Sequence, residues 1–198
     1  MGNQGGFFYR GAEPAWLHCH PDSRSCESVS HTGADRRPMP DPQKISTCLL
    51  FNGEAEEAAN FYVSVFPGAK IVSVLRSPGG VAGLGSGVIA VTFELEGQEL
   101  MALNGGHKVE FTPAVSLFVR CQSQAEIDTL WQKLLDGGEE IMCGWLKDKF
   151  GVHWQIVPAA FGELLGDPDP AKAGRAFQAM LQMKKLDIDK LRAAHAGG

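Results

Sequence analysis

The sequence lacks the features that mark membrane-spanning, secreted and nucleic-acid-binding proteins. No apolar run approaches the ~18 residues of a membrane-spanning helix, and no basic stretch followed by an apolar one resembles a secretory signal. Lys and Arg are not clustered and the formal net charge is −5, so a nucleic-acid or membrane-surface partner is not expected. These absences predict a cytoplasmic globular protein.

Cysteine pairs and nucleotide-binding glycine motifs are also missing. The five cysteines are odd in number and include no CxxC pair, so we expect reduced thiols and not a disulfide framework or a zinc finger. Residues 77–87 are rich in glycine, but they match neither GxGxxG nor GxxxxGK followed by Ser or Thr. They lead into a strand, which offers no helix N-terminus for a phosphate.

Composition divides the chain into three parts. Residues 1–38 are rich in Gly, Ser, Pro and His and show no helical or strand period, which predicts a disordered leader over 1–40. An alternative interpretation, in which Met39 is the natural start of the chain, stays open. We expect the folded domain over 41–166 and a helical extension over 167–198, where Asp169-Pro170 has the pattern of a helix start.

Two similar patterns of strands and helices follow the leader. In the first, strand 44–51 precedes a helix over 54–66, for which Asn52 is the predicted N-cap. In the second, Ser123 and Glu126 form a capping box that begins a helix at about 124. The predicted strands are 44–51, 69–76, 88–96 and 98–104, then 113–121 and the segments 139–147 and 151–158. This order predicts an α+β fold of two βαβββ modules, at about 44–105 and 113–158, the second with a shortened third strand.

Three segments carry a resemblance to a known family. They are LLFNGEAEEAANFYVSVFPGAKI (49–71), ELMALNGG (99–106) and EEIMCGWLKDKFGVHWQIVP (139–158). In this order they resemble the PhnB-like, or 3-demethylubiquinone-9 3-methyltransferase-like, family of the vicinal-oxygen-chelate superfamily, which also contains glyoxalases, bleomycin-resistance proteins and dioxygenases. The resemblance implies that the two modules form a cupped, incomplete eight-stranded barrel around a small-molecule cavity, usually in a homodimer.

The resemblance also implies where a divalent metal would bind. Enzymes of the superfamily hold the ion with His or Glu side chains from the first and last strands of each module. The matching positions here carry Thr47, Asn104, Ala114 and Gln155, which offer neutral ligands or none. A divalent ion needs anionic or imidazole ligands to replace its water, so we predict no metal ligands among the four, although His153 could supply one imidazole. The cofactor is left open: a divalent metal is an option for which the usual ligands are absent.

Five residues are candidates for a ligand site. His153 and Gln155 are two apart on one strand, so they lie on the same face. His153 is the catalytic candidate, as a general base or hydrogen-bond donor, or else a strand histidine bonded to backbone. Gln155 and Asn104 are ligand-binding candidates for a substrate oxygen, or amides that satisfy buried backbone. Phe51 and Trp145 are apolar walls for a ligand, or core residues.

Two functions follow from the resemblance. One is an enzyme that polarises a substrate oxygen inside the cup. The alternative is a non-catalytic dimer that binds or sequesters a small molecule such as a drug. The methyltransferase activity of the family name is less favoured, because the sequence has no doubly wound βαβ unit with a glycine-rich first turn.

Overall fold

A computed structural model describes residues 43–77, 87–106 and 109–198. The predicted leader and nearly all of the glycine-rich segment lie outside the described residues. The elements are β1 (Thr47–Phe51), α1 (Ala55–Val65), β2 (Lys70–Arg76), β3 (Val88–Leu95), β4 (Gln98–Asn104), β5 (Leu117–Cys121), α2 (Gln124–Leu134), β6 (Glu139–Glu140), β7 (Trp145–Lys147), β8 (His153–Pro158), α3 (Phe161–Leu165), α4 (Pro170–Leu181) and α5 (Ile188–Ala196). Within these ranges, no helix has the length and apolar content needed to cross a membrane.

The strands form two sheets with the same topology. Sheet 1 has the order β1-β4-β3-β2 and sheet 2 the order β5-β8-β7-β6. In each sheet the first strand pairs parallel with the last, and the other pairs are antiparallel. Each sheet with its helix is therefore one βαβββ module, and the predicted α+β duplication is confirmed. Neither sheet closes on itself, as expected of an incomplete barrel.

The second module is built from shorter strands than the sequence pattern suggests. Strand β7 has three residues where β3 has eight, as the prediction of a shortened third strand requires. A tight turn at Cys143 and Gly144 separates β6 from β7, and both residues have left-handed φ angles, of 63° and 82°. Strand β5 begins at Leu117 and not at 113, because residues 113–115 form a turn in which the Val115 N–H donates to the Thr112 carbonyl.

The start of α1 differs from the prediction. Asn52 is not the N-cap; Glu54 occupies that position and makes no side-chain cap. Asn104, at the end of β4, supplies the missing acceptor: its Oδ1 accepts the N–H groups of Gly53 and Ala55, both at 3.0 Å. The parallel register places Asn104 beside the last residue of β1, so a partner from a distant strand replaces the local cap.

Helices α1 and α2 cover one face of each sheet. The buried α1 stripe includes Ala58, Tyr62 and Val65, and the Tyr62 ring stacks on Phe93 of sheet 1 at 6.0 Å. The same ring lies 5.4 Å from Trp154 of sheet 2. The two modules therefore share one core on this side. We call the side of each sheet that α1 and α2 cover its helix face.

A buried carboxylate holds the two modules together in this core. Asp148, in the turn before β8, is 2% exposed. Its Oδ2 accepts the Tyr62 hydroxyl at 2.9 Å and the Trp154 indole N–H at 2.8 Å, while its Oδ1 accepts the backbone N–H groups of Phe150 and Val152. Burial raises the pKa of Asp148 above its usual value, against the effect of these hydrogen bonds, and also raises the pKa of Tyr62.

The last three helices pack against the end of sheet 2. Asp169 and Asp187 cap α4 and α5 through their side chains. Val157 of β8 belongs to a cluster with Met180, Leu186 and Leu191 of the C-terminal segment. Two backbone hydrogen bonds, each 2.7 Å, tie the β6–β7 turn to carbonyls of residues 183 and 184. The C-terminal segment is thus an integral part of the second module's packing.

Candidate functional site

Sheet 2 has a second face, which points away from α1 and α2. Side chains alternate along a strand, so Trp154, which contacts α1, faces the helices, while its neighbours His153 and Gln155 face the opposite side. Residues directly paired on neighbouring strands share a face. Gln155 pairs with Trp145 on β7 and with Phe118 on β5. We call this surface the open face of sheet 2.

The open face presents an amide between two aromatic rings. Trp145 and Gln155 are half-buried, whereas Phe118 is 43% exposed. Gln155 Nε2 donates to the Ser116 hydroxyl at 2.8 Å, which fixes the amide orientation. The arrangement matches the apolar walls and few oriented polar groups of small-molecule sites.

His153 lies beside this row and has an unusual environment. It is 6% exposed, and its Nδ1 atom is buried without a hydrogen-bond partner among the described residues. Leaving a buried polar atom unpaired costs about 1–3 kcal/mol, and most buried polar atoms in proteins are paired. In one interpretation of the sequence, His153 is a strand histidine bonded to backbone. Within the described residues, Nδ1 makes no such hydrogen bond.

Charged groups lie at the edges of the open face. Lys147, which pairs with His153 across the sheet, forms an ion pair with Glu139 on β6. A hydrogen bond and the charge of Lys147, and to a smaller extent His153, lower the pKa of Glu139 below its usual value. At the other end, the Arg120 guanidinium lies 5.0 Å above the Phe118 ring.

Two of the five candidate residues lie elsewhere. Phe51 is 2% exposed, and its ring contacts Phe111 and Phe150 at 5.4 and 6.2 Å. Asn104 is 4% exposed; besides capping α1, its Nδ2 donates to the Val88 carbonyl at 3.0 Å. Both side chains point into the core on the helix face of sheet 1. The structure thus brings together His153, Gln155 and Trp145, but neither Phe51 nor Asn104.

The residues at the superfamily's metal positions do not fit a metal ion. The Asn104 side chain is fully used by backbone groups, Ala114 has no ligand atom and lies outside the strands, and Gln155 is neutral. In the described ranges, no three His, Cys, Asp or Glu side chains are grouped so that they could hold a metal ion. No step of the proposals below involves a metal.

The sequence interpretation missed Phe118 and Arg120. Both lie on β5 at alternate positions, two residues apart, and face the same side as Gln155. Alternation in LFVRC could have suggested their common face, but only the parallel register with β8 shows that this face is the one that carries His153 and Gln155.

Comparison with known proteins agrees with this architecture. The two βαβββ modules are the architecture that the resemblance to the vicinal-oxygen-chelate superfamily implies. The family model of 3-demethylubiquinone-9 3-methyltransferase matches residues 43–157, and the chain belongs to this family. No protein of curated function matches the chain.

The solved structures that are similar to the chain include the following two proteins. The PhnB protein from Bacillus cereus, which carries the same methyltransferase name, is 44% identical over 58% of this chain and 99% of its own, with a TM-score of 0.54. The protein PA1353 from Pseudomonas aeruginosa is 24% identical over 58% of this chain and 96% of its own, with a TM-score of 0.51. The second likeness concerns the fold alone.

Proposed function

We propose that the protein binds a small organic molecule on the open face of sheet 2. The observation that carries the proposal is the buried Nδ1 atom of His153, which lacks a partner among the described residues. A bound ligand group would satisfy this atom and so recover free energy that the chain alone loses. Trp145 and Phe118 flank the adjacent Gln155 and provide apolar contact for the ligand.

The lining residues favour a particular ligand chemistry. A flat apolar part would rest on the Trp145 and Phe118 rings, since aromatic side chains gain from stacking. A hydroxyl, carbonyl or carboxylate group would lie at His153 and the Gln155 amide. The methyl transfer of the family name is not part of the proposal, because both sheets are mixed and neither is the open parallel sheet of a doubly wound nucleotide-binding fold.

Ligand-observed NMR with a panel of small aromatic ketones, phenols and carboxylates tests the proposal. We expect binders of the wild-type chain to lose at least tenfold in affinity with Gln155→Leu and with Phe118→Ser. Gln178→Leu, at an exposed position of α4, is the matched control and should change affinity less than twofold. A panel without binders, or binders that Gln155→Leu and Phe118→Ser leave unaffected, would contradict the proposal.

The orphaned imidazole nitrogen also favours a second candidate function, proton transfer to or from the bound molecule. Imidazole is the side chain most often used for this purpose near neutral pH, and its removal typically costs about 10²–10⁴ in rate. For a substrate that turns over, we expect His153→Ala to lower kcat at least 100-fold while ligand affinity changes much less. Unchanged turnover in His153→Ala would exclude this role, and binding without turnover would favour sequestration.

A second copy of the chain is the partner that the resemblance suggests for closing the site. The exposed Phe118 and the neighbouring Val115, which is 69% exposed, would then be covered by that copy. Sedimentation equilibrium of the full chain should give a dimer mass, and Phe118→Asp should shift it toward the monomer. A monomer at all concentrations would remove the dimer from the proposal while leaving ligand binding to the NMR test.

A further inference from the structure

A large cavity lies on the helix face of sheet 2 and reaches around its edge strand β5. Its volume is about 880 Å³, and it is bounded by α2, strand β5, the end of α1 and the β3–β4 turn. We call it the α2 cleft. It shares Ser116, Phe118 and Arg120 with the open face, but His153, Gln155 and Trp145 do not line it. Its volume is within the range of small-molecule sites, about 300–1,000 Å³.

The floor of the α2 cleft is apolar. Phe66 and Trp154 stack there at 5.6 Å with an angle of 25° between their planes, beside Leu100 and Leu130. Along the wall, the lining positions of α2 run from 125 to 133, a length of about 12 Å at 1.5 Å per residue. The cleft is therefore long enough for a medium-length hydrocarbon chain or two fused rings.

The rim of the α2 cleft carries two cations without a carboxylate partner among the described residues. Lys133, in the last turn of α2, and Arg120, at the end of β5, are both exposed and line the cleft. The acids at the rim are Glu96 and Glu126, but the Glu126 carboxylate already accepts the Gln122 N–H at 2.6 Å. The four formal charges balance, but Glu126 is held by the chain, whereas the Arg120 and Lys133 side chains have no hydrogen-bond partner among the described residues and offer their N–H donors to a ligand oxygen.

We propose that the α2 cleft is a second binding site, for an amphipathic anion with an apolar body and a single carboxylate or sulfonate head. The body lies on the Phe66–Trp154 floor, where burial of apolar surface contributes about 25 cal/mol per Å². The head pairs with Arg120 or Lys133 at the rim, where a charge-assisted hydrogen bond is stronger than a neutral one.

Titration of the full chain with the fluorescent anion 1-anilinonaphthalene-8-sulfonate, with decanoate as competitor, tests the site. Thr129 is exposed and lines the α2 cleft, so Thr129→Trp fills it from the surface without altering the core. We expect Thr129→Trp to lower the affinity for the dye at least tenfold. Gln178→Trp on exposed α4 is the matched control and should stay within twofold. Unchanged affinity in Thr129→Trp overturns the site.

The charge of the ligand is tested separately. The double variant Arg120→Gln/Lys133→Gln should lose about tenfold in affinity for the anionic dye and less than twofold for the neutral dye N-phenyl-1-naphthylamine. An equal loss for both dyes overturns the anionic assignment. Trp145→Ala removes a wall of the open face only, so dye binding that survives Trp145→Ala but not Thr129→Trp belongs to the α2 cleft. Circular dichroism of each variant confirms that it is folded.

Discussion

Replacement of Asp148 by Asn tests whether one buried carboxylate couples the two modules. The carboxylate accepts four hydrogen bonds, two from backbone N–H groups and one each from Tyr62 of the first module and Trp154 of the second. Asparagine has nearly the same shape but exchanges one acceptor oxygen for an NH₂ donor. The variant therefore changes the hydrogen bonding and the charge with little change in packing.

The magnitude follows from which donors lose their acceptor. If the asparagine oxygen keeps the two backbone N–H groups, its NH₂ group faces the Tyr62 hydroxyl and the Trp154 indole. The hydroxyl can turn to accept, but the indole is a donor only, so it stays unpaired at about 1–3 kcal/mol. The lost charge-assisted bonds add to this cost, while the lower desolvation cost of a neutral side chain offsets part of it. We expect Asp148→Asn to lower the free energy of unfolding by about 2–3 kcal/mol.

Urea unfolding followed by circular dichroism measures this difference. Tyr62→Phe removes one donor and leaves three, and we expect it to cost about 1–2 kcal/mol. The double variant should show a coupling energy of about 1 kcal/mol, because the two groups are in direct contact. Asp136→Asn, at an exposed carboxylate after α2, is the control and should stay within about 0.5 kcal/mol. A cost below about 1 kcal/mol for Asp148→Asn would refute the coupling.

The pH dependence gives an independent check on the same residue. Burial raises the pKa of Asp148 in the folded state, so between its ordinary and its raised value the folded state binds more protons than the unfolded state. Stability then falls as pH rises through this window. Asparagine does not titrate, so the advantage of the wild type over Asp148→Asn should be largest at acid pH and decrease from about pH 4 upward. An advantage that grows with pH would mean that the hydrogen bonds outweigh burial.

Three further predictions concern other sites. Asn104→Ala should lower the free energy of unfolding by about 2–4 kcal/mol, since two buried backbone groups and one half-buried group lose their partner, and should leave ligand affinity on the open face within twofold in the NMR assay. Gly144→Ala should cost about 2–4 kcal/mol in urea unfolding, because φ is +82° and the new Cβ would lie 2.9 Å from a carbonyl oxygen of β8. Gly174→Ala, on α4 with open space around it, should instead stabilise the protein by about 0.5–1 kcal/mol. Iodoacetamide at pH 8 followed by mass spectrometry should modify exposed Cys48 in the native protein but not Cys121, where burial raises the pKa to about 12; modification of Cys121 at the same rate as Cys48 would contradict its burial.

Local sequence patterns were sufficient for most of the fold. The capping box at Ser123 and the helix start at Asp169 depend on residues a few positions apart, and the structure has them as predicted. The N-cap of α1 could not be predicted in this way, because Asn104 is about fifty residues from the helix that it caps. A distant side chain that enters a local motif leaves no signal in the local pattern.

The candidate site shows the same division between local and long-range information. The two-residue spacing of His153 and Gln155 gives their common face directly. Asn104 and Phe51 have the residue types of a ligand site, but the strand register turns both toward the helices. Residue type alone could not separate an amide that binds a ligand from one that satisfies backbone.

Both proposed sites include residues of β5, which is an edge strand of sheet 2. An edge strand presents side chains on two faces and has no neighbour on one side, and β5 lies at the edge of its sheet. Phe118 therefore borders both the open face and the α2 cleft, while Leu117 and Val119 of the same strand line the cleft and pack against the core. A ligand on either face contacts β5. A shift of β5 caused by one ligand therefore also moves the side chains that line the other site. If both sites bind, occupancy of the α2 cleft by decanoate should change the affinity of the open face, and the reverse change should be equal in free energy.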